Sequence, residues 1–524
     1  MASEELVREI EDQVNEWSTN TTQCLHIALV HSDGAPLADP FHPAFTYPIF
    51  GDEEVVFGYQ GLRILLTFRP HDLRPRLTIT HARKYPALTD TIQPTDIRAA
   101  LDDFLPEAAF DAPRPGEDEE EDEEADVAGF RPPGERIHRY TRDGDGDGDG
   151  DAHTYEVWVA SLSDPRARQL LENMQILVPL FIEGGSMLQL EQDWTTHRWK
   201  LFLLYRYDPT RLPNGSPYAL LGYATSYRVF TLPDRKAPSK DDLRVFSQSL
   251  ESFLPPPHAD AVDMDVDRTA SPLELPSRER LSQFLILPPF QGSGHGRELY
   301  TTMYTHLTSP ANIREFTVED PNEAFDDLRD LCDLLYLRKN VPAFRALRIN
   351  TAVPADELTS TRFIPTDLIV DGAQRSAIMQ KTKIMPRQFD RLVEMHTLSF
   401  IPANHRSRNR ITRKEKSSND HDRAYYFWRL YAKQRLYVFN RDQLAQLERE
   451  ERIEKLEAAL DSVQEGYVAM LDKVEEREKR EVEDAEPGAS KPRVRKRNVV
   501  QEDEEDEEEE EVVVATNGKK ARVA

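Results

Sequence analysis

The sequence predicts an α+β chain. A strand-rich N-terminal α/β unit comes first, then a central unit of strands and helices, then a helical C-terminal part. Three observations carry this. β-branched and aromatic runs recur over residues 24–82 and again over 153–318. A PNGSP turn at 213–217 separates two long apolar runs, as in a strand meander. Finally, Ile453, Leu456, Leu460, Val463, Tyr467, Met470 and Val474 follow three-four spacing, the stripe of a packed helix or short coiled coil.

The elements follow in chain order. Residues 3–17 read as a short charged amphipathic helix, which is no secretory signal. CLHIALV, VVFGYQGLRILLTF and RLTITHA read as strands, closing an N-terminal domain over 1–115. An acidic insertion, expected to be disordered, spans 116–152; it holds EDEEEDEEAD at 117–126 and DGDGDGDGD at 143–151. The alternating Asp-Gly run invites a calcium reading, but the twelfth-position carboxylate and flanking helices of an EF-hand are missing. A flexible acidic segment is the expectation.

The central domain covers 153–345. HTYEVWVASL is a strand, ARQLLENMQILVPLFIEG a helix, and WKLFLLYRY and YALLGYATSYRVFTL are strands. Residues 231–280 are polar and proline-rich and read as a disordered loop. The strand FLILP follows, then a glycine-rich turn. After it come a helix over 296–307, a strand over 313–318 and a helix over 322–338. A helical domain occupies 346–484, and a charged, disordered tail 485–524.

Composition narrows the function. Net charge is −28, which argues against nonspecific nucleic-acid binding and suits a basic partner or substrate. Acidic tails that keep a protein soluble would explain much of the same charge. HRSRNRITRK at 405–414 is basic, but no aromatic ladder accompanies it, so a loop paired with acidic neighbours is expected rather than direct nucleic-acid contact. PRVRKR at 492–497 has the composition of a nuclear signal. Two cysteines, Cys24 and Cys332, make no disulfide framework and fit a reducing compartment. No apolar stretch reaches the about 20 residues of a membrane span, so no membrane role is expected.

The turn after FLILP, QGSGHGR, holds the chemistry. A strand end, a turn bare of side chains and a helix start converge backbone N–H groups on one point, and the helix dipole adds positive charge. Walker A needs Gly-Lys-Ser/Thr, which His295-Gly296-Arg297 does not supply. The spacing of Gly292, Gly294 and Gly296 also fails the dinucleotide GxGxxG pattern. Gln291, Gly294 and Gly296 match Gln/Arg-x-x-Gly-x-Gly/Ala, the pyrophosphate loop of GCN5-related acetyltransferases. A tight turn without a ligand remains the plain alternative. Downstream, FTVEDPNEAFDDLRD ends a strand at Glu319-Asp320 and starts a helix at Pro321. Asp320 as a mere N-cap and Glu319 as a solvated charge is one reading. A carboxylate base beside the turn is the other.

Taken together, LSQFLILPPFQGSGHG and TVEDPNEAFDDLRD closely resemble the catalytic subunit of type B histone acetyltransferases, as do IFGDEEVVFGYQGLRILL and HRWKLFLLYRY upstream. The resemblance runs in pieces from about residue 5 to about residue 480. It implies a central GCN5-related acetyltransferase fold with a mixed sheet. It further implies transfer of acetyl from acetyl-CoA, with no metal, to lysines in the N-terminal tail of newly made histone H4. The implied partner is a WD-repeat histone-binding subunit, and the implied location is nucleus and cytoplasm. By position, Phe284, Leu285 and Ile286 correspond to the strand that pairs with the pantetheine arm. Gln291, Gly292, Ser293, Gly294, His295, Gly296 and Arg297 correspond to the pyrophosphate loop, and Asn322 to a further cofactor contact. Glu319 takes the place of the general base, with Asp320 as a supporting carboxylate. Asp52, Glu53 and Glu54 match an acidic patch for the histone tail; Trp199, Tyr227, Arg228 and Val229 fall where the family lines the peptide groove. Arg228 and Val229 depart from the polar-aromatic pairing expected there, and the 231–280 loop is longer than the family requires.

Chemistry is consistent with these roles. A free lysine amine has a pKa near 10.4 and must lose a proton before it attacks a thioester. A carboxylate in a partly desolvated groove can take that proton, directly or through one water, and a backbone N–H on the cofactor strand can meet the oxyanion. Cys332 would offer an acetyl-cysteine route, but a thiol inside the predicted helix reads as core. Two other functions stay open: a related N-acetyltransferase for another amine or protein, and a non-catalytic acidic histone-binding protein.

Overall fold

The computed structural model describes residues 14–86, 93–110, 127, 129–143, 152–190, 193–211, 215–231, 273, 275–359 and 363–485. The start of the expected N-terminal helix, the first acidic run, all but Asp143 of the second, most of the proline-rich loop and the basic and acidic tail segments lie outside them.

The chain is α+β. In the N-terminal part, β1 (Ser18–Asn20) pairs with β3 (Val55–Phe57), and β2 (Leu25–Leu29) runs parallel to β5 (Arg63–Phe68), which pairs antiparallel with β6 (Pro75–Thr80). β4 (Tyr59–Gln60) meets β7 (Arg83–Lys84). A one-turn helix, α1 (Tyr47–Phe50), precedes the turn that leads into β3, and α2 (Ile97–Asp102) follows the sheets. The expected single run over 55–68 is thus three strands, broken at Gly58 and Gly61, both at positive φ.

The centre is a six-stranded mixed sheet in the order β13-β12-β11-β10-β9-β8. Its strands are β8 (Glu135–Asp143), β9 (Ala152–Ser161), β10 (Trp199–Tyr207), β11 (Tyr218–Phe230), β12 (Ser277–Ile286) and β13 (Ile313–Val318). Neighbours run antiparallel except β12 and β13, which are parallel. Side chains alternate across a strand, so the four inner strands, β9 to β12, feed two cores. Val157, Val159, Phe202 and Leu204 join the core on the helical side, while Trp158, Ala160, Leu201, Leu203 and Tyr205 join the core shared with the N-terminal strands. Burial on both faces explains why WKLFLLYRY is nearly continuous in apolar residues.

Between β9 and β10 the expected single helix is two. Asp164 caps α3 (Pro165–Met174), and α4 (Leu177–Phe181) follows. The break falls at Gln175, four residues before Pro179: a proline has no N–H for that carbonyl and its ring crowds it. On the other face lie α5 (His295–Thr308) and α6 (Glu323–Asn340). The first starts one residue before expectation. The second starts at Glu323 rather than at Pro321, with Asn322 as its N-cap, accepting from Phe325 N at 2.9 Å.

β8 lies wholly inside the segment over 116–152 expected to be a disordered insertion, held there by its antiparallel pairing with β9, and β12 begins at Ser277, inside the segment expected to be a disordered loop over 231–280. The buried positions of β12 before its bulge are Ser277, Glu279 and Leu281, so the alternation is real but its inward face is mostly polar. Glu279 is fully buried and its Oε1 accepts from Lys200 Nζ at 3.0 Å and Arg228 Nε at 2.9 Å. A buried charge is tolerated only when so paired. A bulge interrupts the strand: Thr225 pairs with Gln283 but Ser226 with Leu281, leaving Ser282 extra. The bulge inverts the alternation. Leu281 faces the helical core, while Leu285 and Leu287 face the other one.

The C-terminal part is helical, with α7 (Gly372–Thr382), α8 (Pro386–Leu398), α9 (Asp420–Phe439) and α10 (Arg449–Ala485). The predicted stripe lies on α10, where Leu460, Tyr467, Met470 and Val474 are buried in the helical core. Its partner is within the chain: Tyr425 and Arg435 of α9 reach Gln464 and Tyr467 at 2.7 and 3.2 Å. Arg408 of the basic loop lies 3.7 Å from Glu457 and 3.8 Å from Asp461, and Arg410 lies 4.0 Å from Asp422. A second compact unit begins at Glu476. None of the described helices is long and apolar enough to cross a membrane.

Candidate active site

The site forms where β12 and β13 part. Their parallel pairing ends at Leu281–Val318, and the Glu319 N–H still donates to Leu281 O at 2.9 Å. Asp320 then adopts φ 33°, an uncommon conformation for a non-glycine residue, and turns the chain towards α6. β12 continues beside β11 up to Ile286, paired with Gly222. On that pairing the Leu287 N–H donates to Leu221 O, so the intervening Phe284 and Ile286 backbone groups point to the opposite side. Among the described residues no strand covers that side beyond Leu281. An extended chain could pair there.

Glu319 sits at the head of this opening. Its Oε1 accepts from the Tyr227 hydroxyl at 3.1 Å and lies 3.3 Å from Arg280; its Oε2 accepts from the Ser282 hydroxyl at 2.8 Å. Its side chain is 34% exposed. Tyr227 stacks on Trp199 with ring centroids 4.6 Å apart. Burial, with the Glu319 carboxylate next in weight, raises the Tyr227 phenol above its ordinary pKa, so it stays a donor. The structure therefore brings Trp199, Tyr227 and Glu319 together, and adds Ser282 and Arg280. Sequence reading missed those two. Ser282 lies within the quoted motif, but nothing in the letters marks it as the bulge residue.

Other predicted residues lie elsewhere. Arg228 is buried and bonded to Glu279 and to Leu273 O, within the sheet's inner charge cluster. Val229 is half-buried opposite Arg278. Asp320 is exposed. Asp52 and Glu53 are exposed on the turn after α1, and no hydrogen bond or ion pair joins them to the Glu319 cluster among the described residues. Glu54 points inward, its Oε1 accepting from Thr46 N at 2.6 Å and Tyr47 N at 3.1 Å, where it caps α1. Cys332 is buried and burial pushes its thiol well above the ordinary range, which leaves it inert as a nucleophile.

The glycine turn lies at the other end of the opening. A short 3-10 turn, Pro288–Phe290, leads to Gln291, whose Nε2 donates to Ile286 O at 2.8 Å and folds the turn back on the strand. Gly292 and Gly294 adopt φ 76° and 80°, which side chains rarely allow. Among the described residues, the amides of Gly292, Ser293 and Gly294 meet no backbone carbonyl. A Cβ on Gly296 would come to 3.4 Å from Leu328 and 3.7 Å from Ile286, so α5 packs close against β12 and α6. His295 is buried, its Nδ1 2.8 Å from the Tyr140 hydroxyl and its ring 4.6 Å from that of Tyr155. Bare amides at the head of a 14-residue helix fit a diphosphate. No group of His, Cys, Asp or Glu among the described residues could hold a metal.

Comparison with known proteins bears on this arrangement. Residues 17–183 match the family model described as "Histone acetyl transferase HAT1 N-terminus". The chain is 38% identical over 469 residues to the histone acetyltransferase type B catalytic subunit of Aspergillus oryzae, covering 87% of this chain and 86% of the relative. It is 37% identical over 467 residues to that of Pyricularia oryzae, covering 88% and 92%. Against that of Cryptococcus neoformans it is 32% identical over 490 residues, covering 88% and 98%.

Proposed function

This chain belongs to the family of histone acetyltransferase type B catalytic subunits, and from that premise we propose that it carries acetyl from acetyl-CoA to lysine side chains in the N-terminal tail of histone H4, with Glu319 as the general base. The enzyme class, histone acetyltransferase, follows from the family. The finer reading rests above all on one observation: a carboxylate stands at the point where two parallel strands separate, at one end of a strand edge unpaired among the described residues, whose other end leads into a bare-amide turn. The same arrangement supports a GCN5-related acetyltransferase fold for the central sheet.

Acetyl-CoA supplies an activated thioester. The amides of Gly292, Ser293 and Gly294 and the α5 N-terminus would hold its diphosphate, and the free side of Phe284–Ile286 its pantetheine arm. Asn322 is spent on capping α6, which leaves its other lone pair for a cofactor contact. Glu319 does the proton work. Each carboxylate oxygen has two lone pairs. Tyr227 and Arg280 occupy Oε1, and Ser282 is the single donor on Oε2 among the described residues, so Oε2 keeps a place for a lysine ammonium. Trp199 and Tyr227 offer an aromatic wall along which the aliphatic lysine stem can lie. Asp52 and Glu53 would attract the basic tail at longer range.

The relatives are named catalytic subunits, a term that implies a further subunit. The proposed partner is a WD-repeat histone-binding protein, and the proposed locations are nucleus and cytoplasm. The deciding experiment is labelled acetyl transfer to an H4 tail peptide and to free polyamine, wild type beside Glu319→Gln. The expected result is peptide acetylation by wild type, and a kcat lowered about 10²- to 10⁴-fold in the variant with the acetyl-CoA KM retained. Full activity of Glu319→Gln, or preference for polyamine, would overturn the reading.

A further inference from the structure

Arg142 belongs to no motif read from the sequence. It stands near the end of β8, at the sheet edge opposite β13, yet α5 brings the glycine turn against it. Its guanidinium donates to the carbonyl oxygens of Ser293 and Gly294, the second at 3.1 Å, and to Glu298 Oε1 at 3.2 Å. It lies over the Tyr140 ring at 5.1 Å, and a Cβ on Gly294 would come to 2.9 Å from its Nη1. The turn is thus built around this side chain.

A trans peptide carries its C=O and N–H on opposite sides. Fixing the carbonyls of Ser293 and Gly294 therefore turns the N–H groups of Gly294 and His295 away from Arg142. We infer that Arg142 is a positioning residue for the turn, clamping two peptide planes so that their N–H groups face the diphosphate of the acyl donor. The inference rests on the proposed reading of the turn as a diphosphate site. Glycines at 292 and 294 give the turn its shape but nothing to hold it, since glycine populates many backbone conformations. A fork-shaped guanidinium spanning two carbonyls supplies that restraint and lowers the ordering cost of binding. Its charge is already met by Glu298, which Arg297 at 3.2 Å and His138 at 3.7 Å also approach. Orientation rather than net attraction is its contribution.

The test compares wild type, Arg142→Ala and Arg142→Lys in the full chain. Acetyl-CoA and S-acetylpantetheine, a donor without phosphates, are used in turn with an H4 tail peptide. Arg142→Ala should raise the acetyl-CoA KM about tenfold with kcat within about twofold, the cost of misdirected donors to a charged group. The KM values for S-acetylpantetheine and for the peptide should move by less than about twofold, which also shows that the variant is folded. Arg142→Lys should resemble alanine, because an ammonium lacks the fork. An unchanged acetyl-CoA KM in Arg142→Ala, or an equal rise for both donors, would overturn the inference. A wild-type enzyme that uses both donors equally well would instead overturn the reading of the turn, and the inference with it.

Discussion

Glu319 is served by two hydroxyls from two different strands, and each has a separable task. The Ser282 hydroxyl bonds the oxygen that the proposed mechanism leaves for the substrate, while Tyr227 bonds the other and packs on Trp199. A hydrogen bond to a charged group contributes about 1.5–3 kcal/mol when buried, and less at a carboxylate one-third exposed. Ser282→Ala should therefore lower kcat about three- to tenfold with little change in peptide KM, measured at saturating acetyl-CoA. Tyr227→Phe should raise the peptide KM as well, because its ring lines the wall. The place of Glu319 at a strand end was legible because it lies in a contiguous motif. Ser282, Arg280 and Arg142 were not, because their partners are 37, 39 and about 150 residues away; strand pairing brings the first two to Glu319, and the packing of α5 brings the turn to Arg142.

Among the elements, β12 and the C-terminal helices show where pattern reading stops. The first half of β12 hides behind Ser277 and Glu279, polar residues on a buried face, and a polar inward face looks like a loop. Stripe spacing on α10 was legible because its buried positions are apolar. What ties that helix to α8 and α9 was not: Arg435 forks onto Glu394 at 2.7 and 2.8 Å, and Tyr467 donates to the same carboxylate at 2.8 Å. Glu394 is fully buried. Arg435→Ala strands that charge and should cost about 3–5 kcal/mol by denaturant melts, whereas Glu394→Gln with Arg435→Met should cost less. Helix α8 also carries His396, buried with its ring 4.5 Å from Phe344 and 4.9 Å from Phe400. Burial lowers its pKa from 6.5 to about 3. A depressed folded-state pKa stabilises fully above the unfolded value, and the stability is lost as pH falls from 6.5 towards 3. Thermal melts should show His396→Gln losing less stability than wild type between pH 7 and pH 4.

For the whole molecule, the surface charge and the two-faced sheet set the terms. A net charge of −28 should draw a cationic tail, so the peptide KM should rise with salt. Asp52→Ala with Glu53→Ala should raise the peptide KM at low salt more than it lowers kcat, and flatten that salt dependence. Glu54→Ala should act differently, lowering the melting temperature, because its carboxylate caps α1 instead of facing solvent. Three neighbouring acids look alike as letters; the positive φ of Glu54 is what sends one inward. The broad class was legible, since strand runs and helical spacing are local signals. That one sheet supports two cores was not, because an apolar run cannot say what lies on either side of it.

Deletion and substitution at position 282 should consequently have like outcomes. Replacing the serine removes one hydroxyl and leaves the strand in place. Excising it would join Leu281 directly to Gln283, whose partners Ser226 and Thr225 are already neighbours, so Leu285 and Leu287 would keep their side of the sheet and Phe284 and Ile286 theirs. Both cores would keep their side chains, and a chain shortened by that single residue should fold and be slow for the same reason as the alanine variant: the carboxylate has lost a donor.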